Sequence, residues 1–307
     1  MTNKNPLTTK EKNMKSQIKF KLTSESIVNA WGVTLFRIKA TVDIKDRSVK
    51  KDELGGFVES THLSNGNARV FGNAWVYGNA QVFGNAQVFG NARVSGNARV
   101  FGDARVYGDA WVSGDARVYG YAWVYGDARV SGDARVSGNA WVYGDAWVYG
   151  DAWVFGNAWV FGDARVSGDA RVSGDARVFG DARVYGDAWV SSYAWVSGYA
   201  RVFGDAWVSG DARVSGDARV SGDAHLEAKA GFKLGWFIGG DDTGKIKDIT
   251  SQTGSTYWKN QYVLGDYEIE SLEEKEAEKP ATINIGGKEF EVTDELTKAL
   301  ADLKEVS

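Results

Sequence analysis

The sequence predicts an all-β protein built around a three-sided solenoid of about nine coils, with an N-terminal β cap and a small C-terminal β module followed by a β-hairpin and helix. Two observations carry this reading. From Gly66 to Glu227 the hexapeptide Gly-Asp/Asn-Ala-x-Val-x is written 27 times with no residue inserted or deleted; Ala never varies, and Leu226 is the one replacement of Val. In the position after Val, the class aromatic versus Ser agrees for 14 of 23 pairs three hexads apart but for only 8 of 24 pairs two hexads apart. The coil therefore has three sides and 18 residues.

Each hexad position has a physical reason. Gly, followed by Asp or Asn everywhere except Tyr121, Tyr193 and Tyr199, marks a turn, because these residues tolerate positive φ. Ser192 is the single departure from Gly. Ala-x-Val-x alternates as a short strand, with Ala and Val on one face and the two variable residues on the other. So short a strand buries its face only by stacking on neighbours. Nine coils at ~4.8 Å give a rod roughly 43 Å long.

Hexads with this spacing, an aliphatic residue and then Asn/Asp-Ala three and four positions later, resemble the left-handed parallel β-helix of hexapeptide-repeat proteins. The resemblance implies a left-handed triangular prism.

Taken in order, residues 1–16 are rich in Lys and Asn and read as a disordered lead-in. Residues 17–65 read as a β capping domain. Ile18, Phe20 and Leu22 alternate, and after a turn near Asn29–Gly32 the residues Phe36, Ile38, Ala40, Val42 and Ile44 share one side. An open solenoid end exposes apolar core and unpaired strand edge, so a cap is required over Val70 and Val76. The strand Leu35-Phe36-Arg37-Ile38, then Leu54-Gly55-Gly56-Phe57-Val58-Glu59, then Leu63-Ser64 running into the hexads, resembles the YdcK-like hexapeptide-repeat proteins and their phage- or prophage-borne relatives. The resemblance covers roughly residues 17–227. It implies a fold and a phage or bacterial setting, and carries no activity with it.

After the hexads of residues 66–227, residues 228–270 read as a small antiparallel β module and 271–281 as a charged linker. Residues 282–307 read as a hairpin about Gly286-Gly287, with a helix capped by Thr293 or Asp294 whose Leu296, Leu300 and Leu303 share a face. The string Gly239-Gly240-Asp241-Asp242-Thr243-Gly244-Lys245 spells a phosphate-loop pattern. Ile246 stands where Mg²⁺ coordination needs Ser or Thr, and strand-like alternation follows where a helix must start, so it reads as an Asp-rich turn.

Composition narrows the function classes. There is no cysteine, which removes disulfides and thiolate metal sites. No apolar run at the N-terminus has signal-peptide or membrane-span length, so the expectation is a cytoplasmic protein (host cytoplasm if phage-encoded) with no membrane contact. The net charge of -4 divides unevenly, basic before the hexads and acidic after them, with 14 Arg against 17 acidic residues in the solenoid itself. That balance argues against a nucleic-acid-binding rod. It is expected to form a solvated lattice of Arg and Asp, each exposed pair worth ~0–1 kcal/mol.

Catalysis finds little material. Hexapeptide-repeat acyltransferases use a His base and the zinc carbonic anhydrases of that fold bind metal through three His. Here His62 and His225 are the only two, at opposite ends of the prism. The solenoid also lacks the loops that shape such pockets. No catalytic residue, metal or cofactor is expected, and the acyltransferase reading is kept only as an alternative. Residues 66–227 contain no Thr, which excludes an ice-binding face.

What remains is the outward surface. In stacks of 18 residues, one face carries Phe71, Phe89, Tyr107, Tyr125, Tyr143, Phe161 and Phe179 unbroken, with Trp123, Trp141 and Trp159 beside the middle rings and Arg105 and Arg177 framing them. Trp123, Tyr125, Trp141, Tyr143, Trp159 and Phe161 are therefore the expected contact surface for a protein partner or for self-association as a dimer or trimer. A second face aligns Arg165, Arg183, Arg201 and Arg219 with Tyr185 and Phe203, a candidate grip for a small anionic ligand. The expectation is a non-enzymatic, phage-encoded binding scaffold. A counter-defence factor sequestering a host protein or small anionic signal, and a carbohydrate-binding rod, are the alternatives.

Overall fold

Each hexad forms one very short strand, and the strands stack at a constant offset of 18 residues. The computed structural model describes residues 20–43, 49–59, 67–222 and 224–226, and as strands 230–239, 247–248, 261–271, 282–285 and 288–291. Three longer strands, β1 (Phe20–Val28), β2 (Thr34–Ala40) and β3 (Leu54–Val58), precede 27 short ones running from β4 (Arg69–Val70) to β30 (His225–Leu226). Among the described residues there is no helix.

Arg105 lies opposite Trp123 and Trp123 opposite Trp141, all in parallel strands. Three columns of strands result, as the hexads predict. One column forms a nine-stranded sheet of its own, and the strand Ala230–Gly239, paired with the last strand of each of the other two columns, links them into a single larger sheet. Strand amides bond between coils: Trp123 N donates to Ala140 O at 2.9 Å and Tyr125 N to Val142 O at 3.0 Å. The stack thus satisfies the backbone that a two-residue strand could not satisfy alone. Every hexad Ala and Val from Ala86 to Val220 is wholly buried.

The corners explain the glycine. Gly114 has φ of 67°, and a Cβ there would lie 2.9 Å from the amide N of Gly132 in the next coil. Ser192 nevertheless adopts φ of 57°. The Asn side chains beside the corners form ladders: Asn79 Nδ2 donates to Asn97 Oδ1 at 3.2 Å, and Asn97 Nδ2 to Asp115 Oδ1 at 3.0 Å. Each ladder ends at an Asp, which has no hydrogen to pass on.

At the N-terminal end β1, β2 and β3 form an antiparallel meander, and β3 then pairs in parallel with the Trp75–Val76 strand. Ile38 and Val58 join the same apolar core as Val70 and Val76, which are buried. Gly55 and Gly56 permit this approach, since a Cβ would fall 2.6 Å from Val70 O at the first and 2.6 Å from Ala74 O at the second. In β2 the buried residues are Leu35, Ile38 and Ala40, with Phe36 only half-buried. The strict alternation expected from Phe36 onward is broken by a register shift between Arg37 and Lys39.

At the other end β31 (Ala230–Gly239) continues the parallel stack after the hexad has vanished from the sequence. Phe232 lies opposite Val214 and Phe237 opposite Val220. Both rings are fully buried and meet edge to face at 5.0 Å, so they close the core with larger side chains than the Val they follow. The first strand of the expected antiparallel module is therefore parallel to the rod. Further on, β32 (Lys247–Asp248) and β33 (Gln261–Ser271) pair antiparallel.

Residues 271–307 form a separate compact unit. In it β34 (Thr282–Ile285) and β35 (Lys288–Glu291) make an antiparallel hairpin with Ile283 opposite Phe290. The helix expected after Thr293, the lead-in 1–16 and the Asp-rich turn at 240–246 lie outside the described residues.

Candidate functional site

The in-register stack converts sequence columns into columns of rings. On the first face, Phe71, Phe89, Tyr107, Tyr125, Tyr143, Phe161 and Phe179 form one continuous pile with centroids 4.7–5.0 Å apart and planes within 8° of parallel. Beside it Trp123, Trp141 and Trp159 stack at 5.1 and 5.2 Å. The two columns touch edge to face: Tyr125 meets Trp141 at 6.4 Å and 74°. The six candidate aromatics are thus brought together, each half-buried by its neighbours.

Arginine caps the indole stack. The Arg105 guanidinium lies 4.7 Å from the Trp123 ring, and Arg177 is held between Trp159 at 4.9 Å and Trp195 at 5.0 Å. Arginine and indole are therefore alternates in one stack, because both present a flat face at the coil spacing. The ring column also desolvates its hydroxyls. Burial, with the flanking Tyr107 and Tyr143, pushes the Tyr125 pKa up to about 12; burial also raises Tyr107 and Tyr143.

The expected Arg/Asp lattice is a correction. Arg165, Arg183 and Arg201 have no carboxylate within 4 Å among the described residues, and the two ion pairs resolved there, Arg37–Glu25 and Lys39–Asp52, belong to the cap. Asp sits at the corner beside the next coil's Asn or Asp, whereas Arg leaves the flat of the strand, where Arg105, Arg165 and Arg177 among others lie over a ring.

On the second face, Arg165, Arg183, Arg201 and Arg219 follow one another in register. Tyr185 and Phe203 stack at 5.0 Å. A shallow pocket of about 220 Å³ is lined by Tyr149, Arg165, Ser167, Arg183, Tyr185 and Arg201. Sequence reasoning missed Tyr149 and Ser167; the signal was the interruption Tyr-Ser-Tyr in one 18-residue column. The third face has its own rule. Trp153, Trp189 and Trp207 each fold over the Ser 16 residues earlier, and their Nε1 atoms donate to Ser137, Ser173 and Ser191 at 3.3, 3.0 and 3.1 Å.

His225 continues that arrangement, stacked on Trp207 at 4.4 Å with Ser209 Oγ 3.4 Å from Nε2. His62 lies outside the described residues. Among the described residues no group of three or more His, Cys, Asp or Glu could hold a metal ion, and no helix is long and apolar enough to cross a membrane.

Fold and surface together define a three-sided parallel β-solenoid repeat protein. Eight segments, 80–96, 86–100, 98–114, 110–126, 128–144, 164–178, 176–192 and 212–227, match the YdcK β-solenoid repeat family. Across residues 80–227 the repeats are accordingly YdcK-like. No curated protein matches it.

Proposed function

We propose that the protein is a non-catalytic scaffold whose first face, through Trp123, Tyr125, Trp141, Tyr143, Trp159 and Phe161, binds another protein surface, a second copy of the rod being the first occupant. The observation that supports this most is the pairing of the Trp123–Trp141–Trp159 stack with the longer ring column, a half-exposed strip already fixed in one orientation. Ordering such side chains on association costs little further entropy, and aromatic residues of this kind dominate contact energies. A second rod offers the same repeat distance, so ring can meet ring along the whole strip. The cytoplasmic and phage-borne setting expected from the sequence is part of this reading.

The test is the double variant Trp141→Arg, Tyr143→Ser, which places at each position a residue the repeat uses elsewhere. Light scattering over a concentration series should show wild-type self-association and at least a tenfold weaker association in the variant, about 1.4 kcal/mol or more. A wild-type chain that stays monomeric, or a variant that associates equally well, overturns the reading.

A further inference from the structure

We propose that the break in the second face's ring column at Ser167 is a slot for a nucleoside 5′-phosphate, with the base between Tyr149 and Tyr185 and the phosphate on Arg183 and Arg201. This site lies on a different face and does not rest on the self-contact reading.

The slot follows from the coil spacing. Tyr185 and Phe203 stack at 5.0 Å with planes 2° apart. Tyr149 and Tyr185 are two coils apart, roughly 10 Å on that 5.0 Å step, with Ser167 in the coil between them. One further ring placed midway would stand ~5 Å from each Tyr, within the ~4.5–7 Å of stacked aromatic pairs. The space is real, since these three residues line the pocket of about 220 Å³.

A longer break in the same column, where Tyr77 is followed by Ser95, Ser113 and Ser131, receives a ring from outside the repeat. There Trp31, from the turn between β1 and β2, lies exposed against Tyr77 at 6.0 Å and Trp111 at 5.7 Å. At Ser95 the residue 16 positions on is Trp111, whereas at Ser167 it is Arg183. Ser95 is buried and Ser167 is only half-buried.

The cationic half is equally local. Arg165, Arg183 and Arg201 stand in register, one per coil, with no carboxylate within 4 Å among the described residues. Arg165 is turned onto the Trp147 ring at 5.2 Å, so Arg183 and Arg201 are the pair assigned to the anion. Like charges at adjacent positions of a sheet repel, and a bidentate anion between two guanidinium planes relieves this. Exposed Asp163 and Asp181 along one edge and Asp169 and Asp187 along the other oppose a long polyanion crossing the face. A pocket below the about 300–1,000 Å³ of closed ligand sites likewise suits one base, with its sugar and phosphate lying along the rod.

The probe is adenosine 5′-diphosphate, titrated calorimetrically into the full chain, with adenosine and inorganic pyrophosphate as the two halves. We expect one molecule bound per chain, with each half at least about tenfold weaker. Ser167→Phe places a ring where the repeat elsewhere has Phe155 and Phe161, so it should abolish binding while thermal unfolding is kept. Arg183→Gln should weaken binding about tenfold or more. No binding at about 1 mM, unchanged binding by Ser167→Phe, or pyrophosphate binding as well as the nucleotide each overturns the proposal. So does an oligonucleotide that binds far more tightly than adenosine 5′-diphosphate with a steep salt dependence.

Discussion

The indole Nε1 of Trp189 donates to Ser173 Oγ, 16 residues earlier, at 3.0 Å. The bond is diagonal, joining the first outward position of one coil to the second outward position of the coil before. Ser173 is buried by the indole that bonds to it. Trp111 makes the contrast, since its Nε1 is buried without a hydrogen-bond partner.

Ser173→Ala therefore should destabilise the rod by about 1 kcal/mol, because a part-buried indole N–H loses its acceptor. Ser95→Ala, next to the already unpartnered Trp111, should cost less. Chemical denaturation of both variants checks the difference, and equal losses would show that the diagonal bond adds nothing.

Ser192 is the only hexad corner without Gly and holds φ of 57°. Ser192→Gly should stabilise by about 0.5–1 kcal/mol, since relieving the left-handed strain on a residue with Cβ outweighs the extra backbone entropy that Gly loses on folding. Gly114→Ala should do the reverse and more, with its Cβ 2.9 Å from Gly132 N. Thermal melts of the two variants should move in opposite directions.

The ring column predicts an alkaline limit. Tyr125, Tyr107 and Tyr143 have raised pKa values in the folded state, Tyr125 up to about 12 from 10.0. Between those values the unfolded chain has released protons that the folded chain retains, so stability is full below pH about 10 and falls as pH rises towards 12. Phe at all three positions should flatten that fall, measured as melting temperature against pH.

Much of the architecture was legible because the repeat states its own register: Ala and Val fixed the inside, and the 18-residue agreement of aromatic and Ser fixed three sides. Residues 230–239 were not read as a coil because Phe232 and Phe237 abandon the Ala-x-Val spacing while keeping its place in the stack. The six aromatics of the first face could be aligned from columns alone. The partners of Arg could not, since sequence shows that Arg follows Asp by two residues but not that a ring one coil away lies under Arg105, Arg165 and Arg177. Trp31 was invisible for a related reason, its contacts being set by how the cap folds back on the second face.

The register has a further consequence. The inside of this molecule counts in sixes, since any hexad supplies the same Ala and Val, but the outside counts in eighteens. Duplicating one hexad would preserve the core and yet move every later outward residue onto the neighbouring side, cutting each ring pile at the insertion. Duplicating three would lengthen the rod by one coil, ~4.8 Å, and leave every pile aligned. The same chain can thus be a ruler adjustable in whole coils and a surface pattern erased by a third of one.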